Sequence, residues 1–406
     1  MSRKIKTVSL LLITVFSVVS VSGCYDSNEI ENLAYVIAIG IDKADKESFN
    51  LTFQTAVPKS IAGGEGESIA TKTFKTDNFL SGLKKASGYL ERKINLSHTE
   101  IIAVSEDIAK AGITAFLNGL QQNIELRPNV NIIVTAEGAQ KYIESIKPKL
   151  SSSPAKHYNL LFSSYETDFL VKDTQLEDYL YRAKNQSAQP VAIYTAIDKA
   201  ISDESKSDEK SKKPNEEEGK KPEEEGKKSS EDENKAIAIK GLAVFKADKM
   251  VGKLNEDEAM LFSLMTSTKS KDIEIVDPLD DKFKVLGNVK KSRLSSTKVI
   301  LNKGKPKISI NLKLNIDVKA VQSDNDYDEP EKAAKLKLAY EQYLNNGIKN
   351  LLNKTTKDLK SDIFGFGQQA KRNFITIGAW ENANWNDIFV QSEYELLVDV
   401  NVRRQS

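Results

Sequence analysis

Residues 308–320 read Ile-Ser-Ile-Asn-Leu-Lys-Leu-Asn-Ile-Asp-Val-Lys-Ala, and this stretch decides the fold class. Every second residue is apolar from Ile308 to Val318, with Ser, Asn, Lys and Asp between. Successive side chains of a strand point to opposite faces, so the pattern predicts a sheet with one buried face and one wet face. The period then changes. From Glu331 to Ser361 the residues Leu336, Tyr340, Tyr343, Leu344, Ile348, Leu351, Leu352, Thr355 and Leu359 recur at three and four, which predicts a long helix with a core-facing stripe. Tyr394, Leu396, Val398, Val400 and Val402 close the chain with a second alternating strand. The second half therefore reads as α+β, an antiparallel sheet with its long helix packed on one face.

Working back toward the N-terminus, Ile237, Ile239, Leu242, Val244 and Phe245 predict a strand that turns at Ala247-Asp248-Lys249 into Met250 to Leu254. Asn255 followed by Glu256, Asp257 and Glu258 is a capped helix start with acidic residues in its first turn. The first half alternates elements. Strand-like runs occur at Leu33 to Ile41, Phe49 to Phe53, Glu100 to Ser105 and Val130 to Thr135. Helices are predicted from Asn78 to Leu90, from Glu106 to Gln122 with a break near Gly112, and from Glu137 to Ile146. This is an α/β or α+β unit. From Lys147 to Val191 the pattern weakens around a loop at residues 151–154 and a short helix from Leu176 to Tyr181. The glycines of residues 60–66 have no basic residue and helix start after them, so they read as a loop and not as a phosphate cradle.

Two segments stand apart. Between Asp203 and Lys235 no residue is apolar, and two near copies of Lys-Lys-Pro followed by acidic residues and Gly occupy 212–226. Such a tract has nothing to bury against the cost of chain entropy, so it reads as a disordered linker. At the other end, Arg3, Lys4 and Lys6 precede an uncharged, mostly apolar run from Val8 to Val21. Small residues then lead into Cys24, the only cysteine. That order is a secretory signal peptide, too short for a spanning helix. The triplet before Cys24 resembles a bacterial lipobox with Val21 at its first position. The resemblance implies cleavage between Gly23 and Cys24 and an S-linked diacylglycerol on Cys24, with N-acylation left open. The expected organisation is a removed signal at 1–23, an N-terminal domain at 24–200 with a subdomain split near 147–155, the linker at 201–235, and a C-terminal domain at 236–404.

Catalytic groups are scarce. Two histidines, His98 and His157, and one cysteine leave no material for a Cys/His zinc cluster or a Cys–His nucleophile pair. His98 reads as a structural histidine beside a strand. There is no Gly-rich phosphate loop and no nucleophile elbow, so no cofactor is expected. Fifty-nine Lys and Arg against 58 Asp and Glu create no global field for nucleic acid. A single cysteine also excludes an internal disulfide, so stability must come from packing.

Several phrases recur in a recognisable order: Gly23-Cys24-Tyr25-Asp26-Ser27-Asn28-Glu29-Ile30, Gly40-Ile41-Asp42, Ser97-His98-Thr99-Glu100, Arg127-Pro128, Gly241-Leu242-Ala243-Val244-Phe245-Lys246 and Asp362-Ile363-Phe364-Gly365-Phe366-Gly367. Together they resemble the Ger(x)C family, the lipoprotein C subunits of nutrient germinant receptors. Tyr25 stands where that family usually has Trp. The resemblance implies a three-domain, mixed α/β protein that is not an enzyme. It would be anchored through Cys24 in membrane lipid on the outer face of the spore inner membrane, beside a multi-spanning A subunit and a transporter-like B subunit. The alternatives are an extracytoplasmic solute-binding lipoprotein, which needs a cleft between similar lobes, and an anchored hydrolase of wall polymers, which needs a carboxylate pair. For partner contact the residues singled out are Tyr25 and Asp26, next to the anchor, and Phe364 and Phe366, flanking Gly365. The competing reading has both phenylalanines filling the core beneath the long helix.

Overall fold

The structure is a computed structural model that describes residues 32–45, 48–58, 67–121, 125–146, 154–164, 174–198 and 236–403. The signal and Cys24, Tyr25 and Asp26, the glycine loop at 60–66, residues 147–153 of the proposed subdomain split, and the Lys/Glu tract lie outside these residues.

The first half builds a sheet from β1 (Leu33–Lys43), β2 (Phe49–Pro58), β3 (Glu67–Thr76), β4 (Lys93–Asn95), β5 (Ile101–Ser105), β6 (Asn131–Thr135) and β7 (Val191–Asp198). Its helices are α1 (Phe79–Leu90), α2 (Glu106–Ala111), α3 (Thr114–Gln121), α4 (Ala139–Ser145), α5 (Pro154–Ser164) and α6 (Leu176–Ala183). Local chemistry sets several boundaries. Asn78 caps α1 by accepting from the Ser81 N–H at 2.9 Å. Asp42, at the end of β1, accepts from the N–H groups of Ala139 and Gln140 at 2.7 and 2.8 Å and so caps α4 from across the sheet. Burial raises the Asp42 carboxyl above its ordinary range, against those two hydrogen bonds.

β1, β5, β6 and β7 are parallel, while β2 and β3 add antiparallel strands beyond β1. Ile101 and Ala103 face one apolar cluster, and Ile102 and Val104 face another. Both faces are covered, which explains why these strands read as continuous apolar runs rather than alternating ones.

Past the tract come β8 (Ala236–Lys246) and β9 (Lys249–Leu254), then α7 (Glu256–Thr266), β10 (Lys271–Val276), β11 (Lys284–Lys291), β12 (Ser296–Asn302) and β13 (Lys305–Val321). β8 pairs antiparallel with β7, and β9 with β8, so both strands complete the first sheet although they follow the tract. That sheet has nine strands, with β4 beside β1. The chain leaves it through α7, which has a complete capping box between Asn255 and Glu258. Ala259 to Leu264 are consecutively buried. A helix apolar on all sides must lie between two layers; α7 lies against β8 on one side and α8 (Pro330–Asn353) on the other.

β13 fulfils its pattern, with its alternate residues buried through Ile316. The last strand, β14 (Glu393–Arg403), corrects the expectation of an antiparallel sheet. It pairs parallel with β13, Ile310 opposite Leu396 and Leu314 opposite Val400, so the five-stranded second sheet is mixed rather than antiparallel. The connection between β13 and β14 contains α8 and three further short helices. Such a crossover returns the chain to the starting end of the sheet, as parallel pairing requires.

The long helix also ends sooner than its periodicity implies. α8 stops at Asn353 and is followed by a π-helical turn over Lys354–Asp358. The hydroxyls of Thr355 and Thr356 both donate to the Leu352 carbonyl, at 3.0 and 2.7 Å, and compete with the regular ladder. Two short helices, α9 (Phe366–Ala370) and α10 (Ile377–Ala383), lead to α11 (Trp385–Phe389). The core that covers one face of the first sheet runs without a break into that of the second.

Candidate functional site

The most connected side chain at the junction of the two sheets is Asp362, fully buried in the segment after the π turn. Its carboxylate accepts four hydrogen bonds. Oδ1 takes the N–H groups of Gly365 and Phe366 at 2.9 and 3.1 Å. Oδ2 takes the Gly367 N–H and the Trp385 indole Nε1–H, both at 2.8 Å. Burial pushes the Asp362 carboxyl up to about 6, with the four N–H donors pulling the other way.

Two glycines make this turn. Gly365 has φ 75° and ψ 31°, the left-handed conformation that glycine adopts without penalty. It stands directly before α9 and so starts that helix. At Gly367 a Cβ would lie 2.6 Å from the Ser187 carbonyl oxygen, so the backbone of the first half runs directly against it.

That neighbouring backbone, residues 185–190, is the segment leading into β7, and it is tied to the second half in several places. The Gln189 N–H donates to the Asp362 carbonyl at 2.8 Å. Arg182 donates to the carbonyls of Ile363 at 2.9 Å and Gln189 at 3.4 Å. Gln186 donates to the Trp380 carbonyl at 3.0 Å and accepts from the Trp385 N–H at 3.1 Å. Ser361 donates to the Phe245 carbonyl in β8 at 2.6 Å. Asp362 has no exposed surface, so it meets no solute; the arrangement is a joint that fixes one sheet against the other.

The aromatic residues pack around this joint. Phe366 is buried and its ring stacks on Phe364 at 5.2 Å, while Phe364 also meets Phe262 of α7 at 5.4 Å. Phe364 is only partly buried, but it too packs on the core. Phe366 is only 5% exposed, which favours the reading in which it fills the core. Trp380 and Trp385 are buried beside each other, 6.1 Å apart, as core residues. His98 is exposed, with its ring edge-on to Tyr35 at 4.9 Å.

Two other polar clusters are structural. Burial would raise the Glu106 carboxyl, but hydrogen bonds from Lys110, Lys253 and Tyr194 overcome this and hold it at about 2. Asp277 is likewise held at about 2, against burial, by Ser323, Tyr327, Asn325 and the Leu279 N–H. Among the described residues, no group of three or more His, Cys, Asp or Glu is placed to hold a metal ion.

Sequence reasoning quoted Asp362 as part of a phrase but gave it no role. An Asp three residues before a glycine is a signal for such a turn. Arg182, Gln186 and Gln189 were missed outright, since their partners lie more than 170 residues away.

A family model described as "Spore germination protein N-terminal domain" matches residues 26–197, and one described as "Spore germination B3/ GerAC like, C-terminal" matches residues 240–406. The chain belongs to the GerAC family of spore germination proteins. The two matches meet on either side of the Lys/Glu tract, so the β7–β8 pair joins one family domain to the other. Among its relatives, the putative spore germination protein YfkR of Bacillus subtilis is 22% identical over 98% of this chain and 97% of its own. Spore germination protein KC of the same organism is 25% identical over 45% of this chain, and the match spans about half (47%) of that relative's length. Spore germination protein A3 is 28% identical over 32% of this chain and 35% of its own. The crystal structure of the GerBC protein superposes with a TM-score of 0.53 over 93% of this chain and 100% of that one, at 14% identity. That likeness shows the fold, a mixed arrangement of helices and two sheets.

Proposed function

We propose that this GerAC-family protein is the non-enzymatic C subunit of a nutrient germinant receptor. It is held on the outer face of the spore inner membrane by a diacylglycerol on Cys24 and works beside the A and B membrane subunits. The observation that carries the reading is the match of both germination-family domains, in order, across the two halves of the chain. Three further points support it. The segment before Cys24 has the order of a lipoprotein signal. No helix among the described residues is long and apolar enough to cross a membrane, so a lipid anchor would supply the attachment. The best-connected carboxylate, Asp362, is sealed inside the protein, where it serves assembly of the two sheets and not chemistry on a solute. The solute-binding alternative needs a cleft between similar lobes, whereas the two sheets here differ in strand number and order.

The test is co-purification. Tagged protein extracted in mild detergent from spore membranes is expected to bring down A- and B-type germination subunits identified by mass. Recovery of a solute transporter in their place would assign the chain to the alternative.

A further inference from the structure

The most exposed large apolar side chain of the described residues, Ile375, lies on the connection between α9 and α10, two positions before exposed Ile377 at the start of α10. Ile375 is 100% exposed and Ile377 67% exposed. Single apolar residues at a surface are ordinary. Here, however, the pair is presented by a built support. The Phe374 ring packs on buried Trp380 at 5.4 Å. The Asn373 side-chain amide donates to the carbonyls of Val299 and Ala370 at 3.2 and 3.0 Å. The Thr376 hydroxyl accepts from the Ala379 N–H at 3.1 Å, capping α10. Asn373, Phe374 and Thr376 are thus committed to the protein, while the two isoleucines are exposed.

Charge and position name what covers them. Between Asp362 and Glu381 the only charged residues are Lys371 and Arg372, both exposed. Two apolar side chains preceded by two exposed cations, with Glu381 the next charge after them, match the boundary of an anionic bilayer. The loop also lies at a particular end of the molecule. Gln186, in the segment entering β7, holds Trp380 and Trp385. β1, β5, β6 and β7 are parallel and neighbours in that order, so β1 begins at the same end, about 15 Å along the sheet. Cys24 is nine residues before Leu33, a reach of at most about 32 Å.

We propose that residues 374–379 form a second membrane contact, in which Ile375 and Ile377 enter the interfacial layer of an anionic bilayer and Lys371 and Arg372 meet its headgroups. The argument from position rests on the Cys24 anchor proposed above; the exposure and charge do not. A lipid anchor at one point does not by itself set the orientation of the protein above the membrane. A second contact at the tethered end sets one orientation, with the Asp362 joint toward the bilayer.

The test removes the anchor. The mature chain carrying Cys24→Ala is mixed with vesicles of phosphatidylglycerol and phosphatidylethanolamine, or of phosphatidylcholine alone, and sedimented. Binding to the anionic vesicles is expected. It should fall about tenfold or more in an Ile375→Asp/Ile377→Asp variant, and less steeply in Lys371→Gln/Arg372→Gln. Because both isoleucines lie in solvent, the melting temperature should not move, and Ile375→Leu/Ile377→Leu should bind like the parent. Absence of parent binding, or undiminished binding by the Asp variant, would overturn the proposal. So would loss of co-purifying membrane subunits in the Asp variant when the parent ignores vesicles, which would assign the loop to a protein partner. No step uses the lipid on Cys24, so the anchor and the loop can fail separately.

Discussion

Asp362 carries four N–H donors on two oxygens inside the joint between the sheets. Asp362→Asn would turn an amide NH₂ toward two of those donors, and the unmet pairs should cost about 1–3 kcal/mol. The effect should depend on pH. The folded carboxyl is raised from its ordinary 3.8 to about 6, so the folded state holds the proton more tightly than the unfolded chain. The associated stability is complete below about pH 4 and is lost as the pH rises through 6. Its full size is at most about 3 kcal/mol. Denaturant unfolding of both proteins from pH 5 to 7.5 should therefore show the gap between them widening toward pH 5. A constant gap would mean that Asp362 does not titrate in this range. Phe366 belongs to the same joint, and Phe366→Ala should lower stability by about 3–5 kcal/mol as a core truncation. Full stability with poor recovery of membrane subunits would restore the interface reading.

At the scale of elements, the strand pair β7–β8 gives the Lys/Glu tract a defined setting. Asp198 lies opposite Ala236 in an antiparallel pair, so the tract joins two neighbouring backbone ends. Ends that close need only a short loop, and loop length changes closure entropy slowly. Replacing residues 203–235 by a short Gly/Ser bridge should leave the melting temperature of the soluble chain nearly unchanged and support germination. A large drop in melting temperature would show that the tract is packed. What the sequence made legible at this scale follows from burial. β13 has one wet face and one dry face, so it alternates; β1, β5 and β6 are covered on both faces, so they read as apolar runs. β3 escaped notice because it is an edge strand of mostly half-exposed residues, with Lys72, Lys75 and four threonines or serines among its ten. The direction of β14 was not legible either, since it depends on the path of the crossover before it.

Across the whole molecule, the assignment of β8 and β9 to the first sheet was invisible in the sequence because pairing across the tract leaves no local periodicity. The candidate joint was half legible. Its turn, Asp362 to Gly367, stood out as a phrase, whereas the segment 182–189 that grips it carries no signature of its own. The consequence can be measured. A fragment of residues 24–200 lacks both strands, exposes the edge of β7 and should aggregate; a soluble, cooperatively folding fragment would show that β8 and β9 are dispensable.

The central claim concerns where this protein works. Two acyl chains at about 0.8 kcal/mol per buried CH₂ give stable attachment, where one would be marginal. The most direct measurement is membrane fractionation of spores whose sole copy carries Cys24→Ala, together with their response to nutrients. The account predicts an unprocessed or released protein, no lipid mass on its N-terminal peptide, and a weakened germination response. Normal retention with an unchanged response would contradict it.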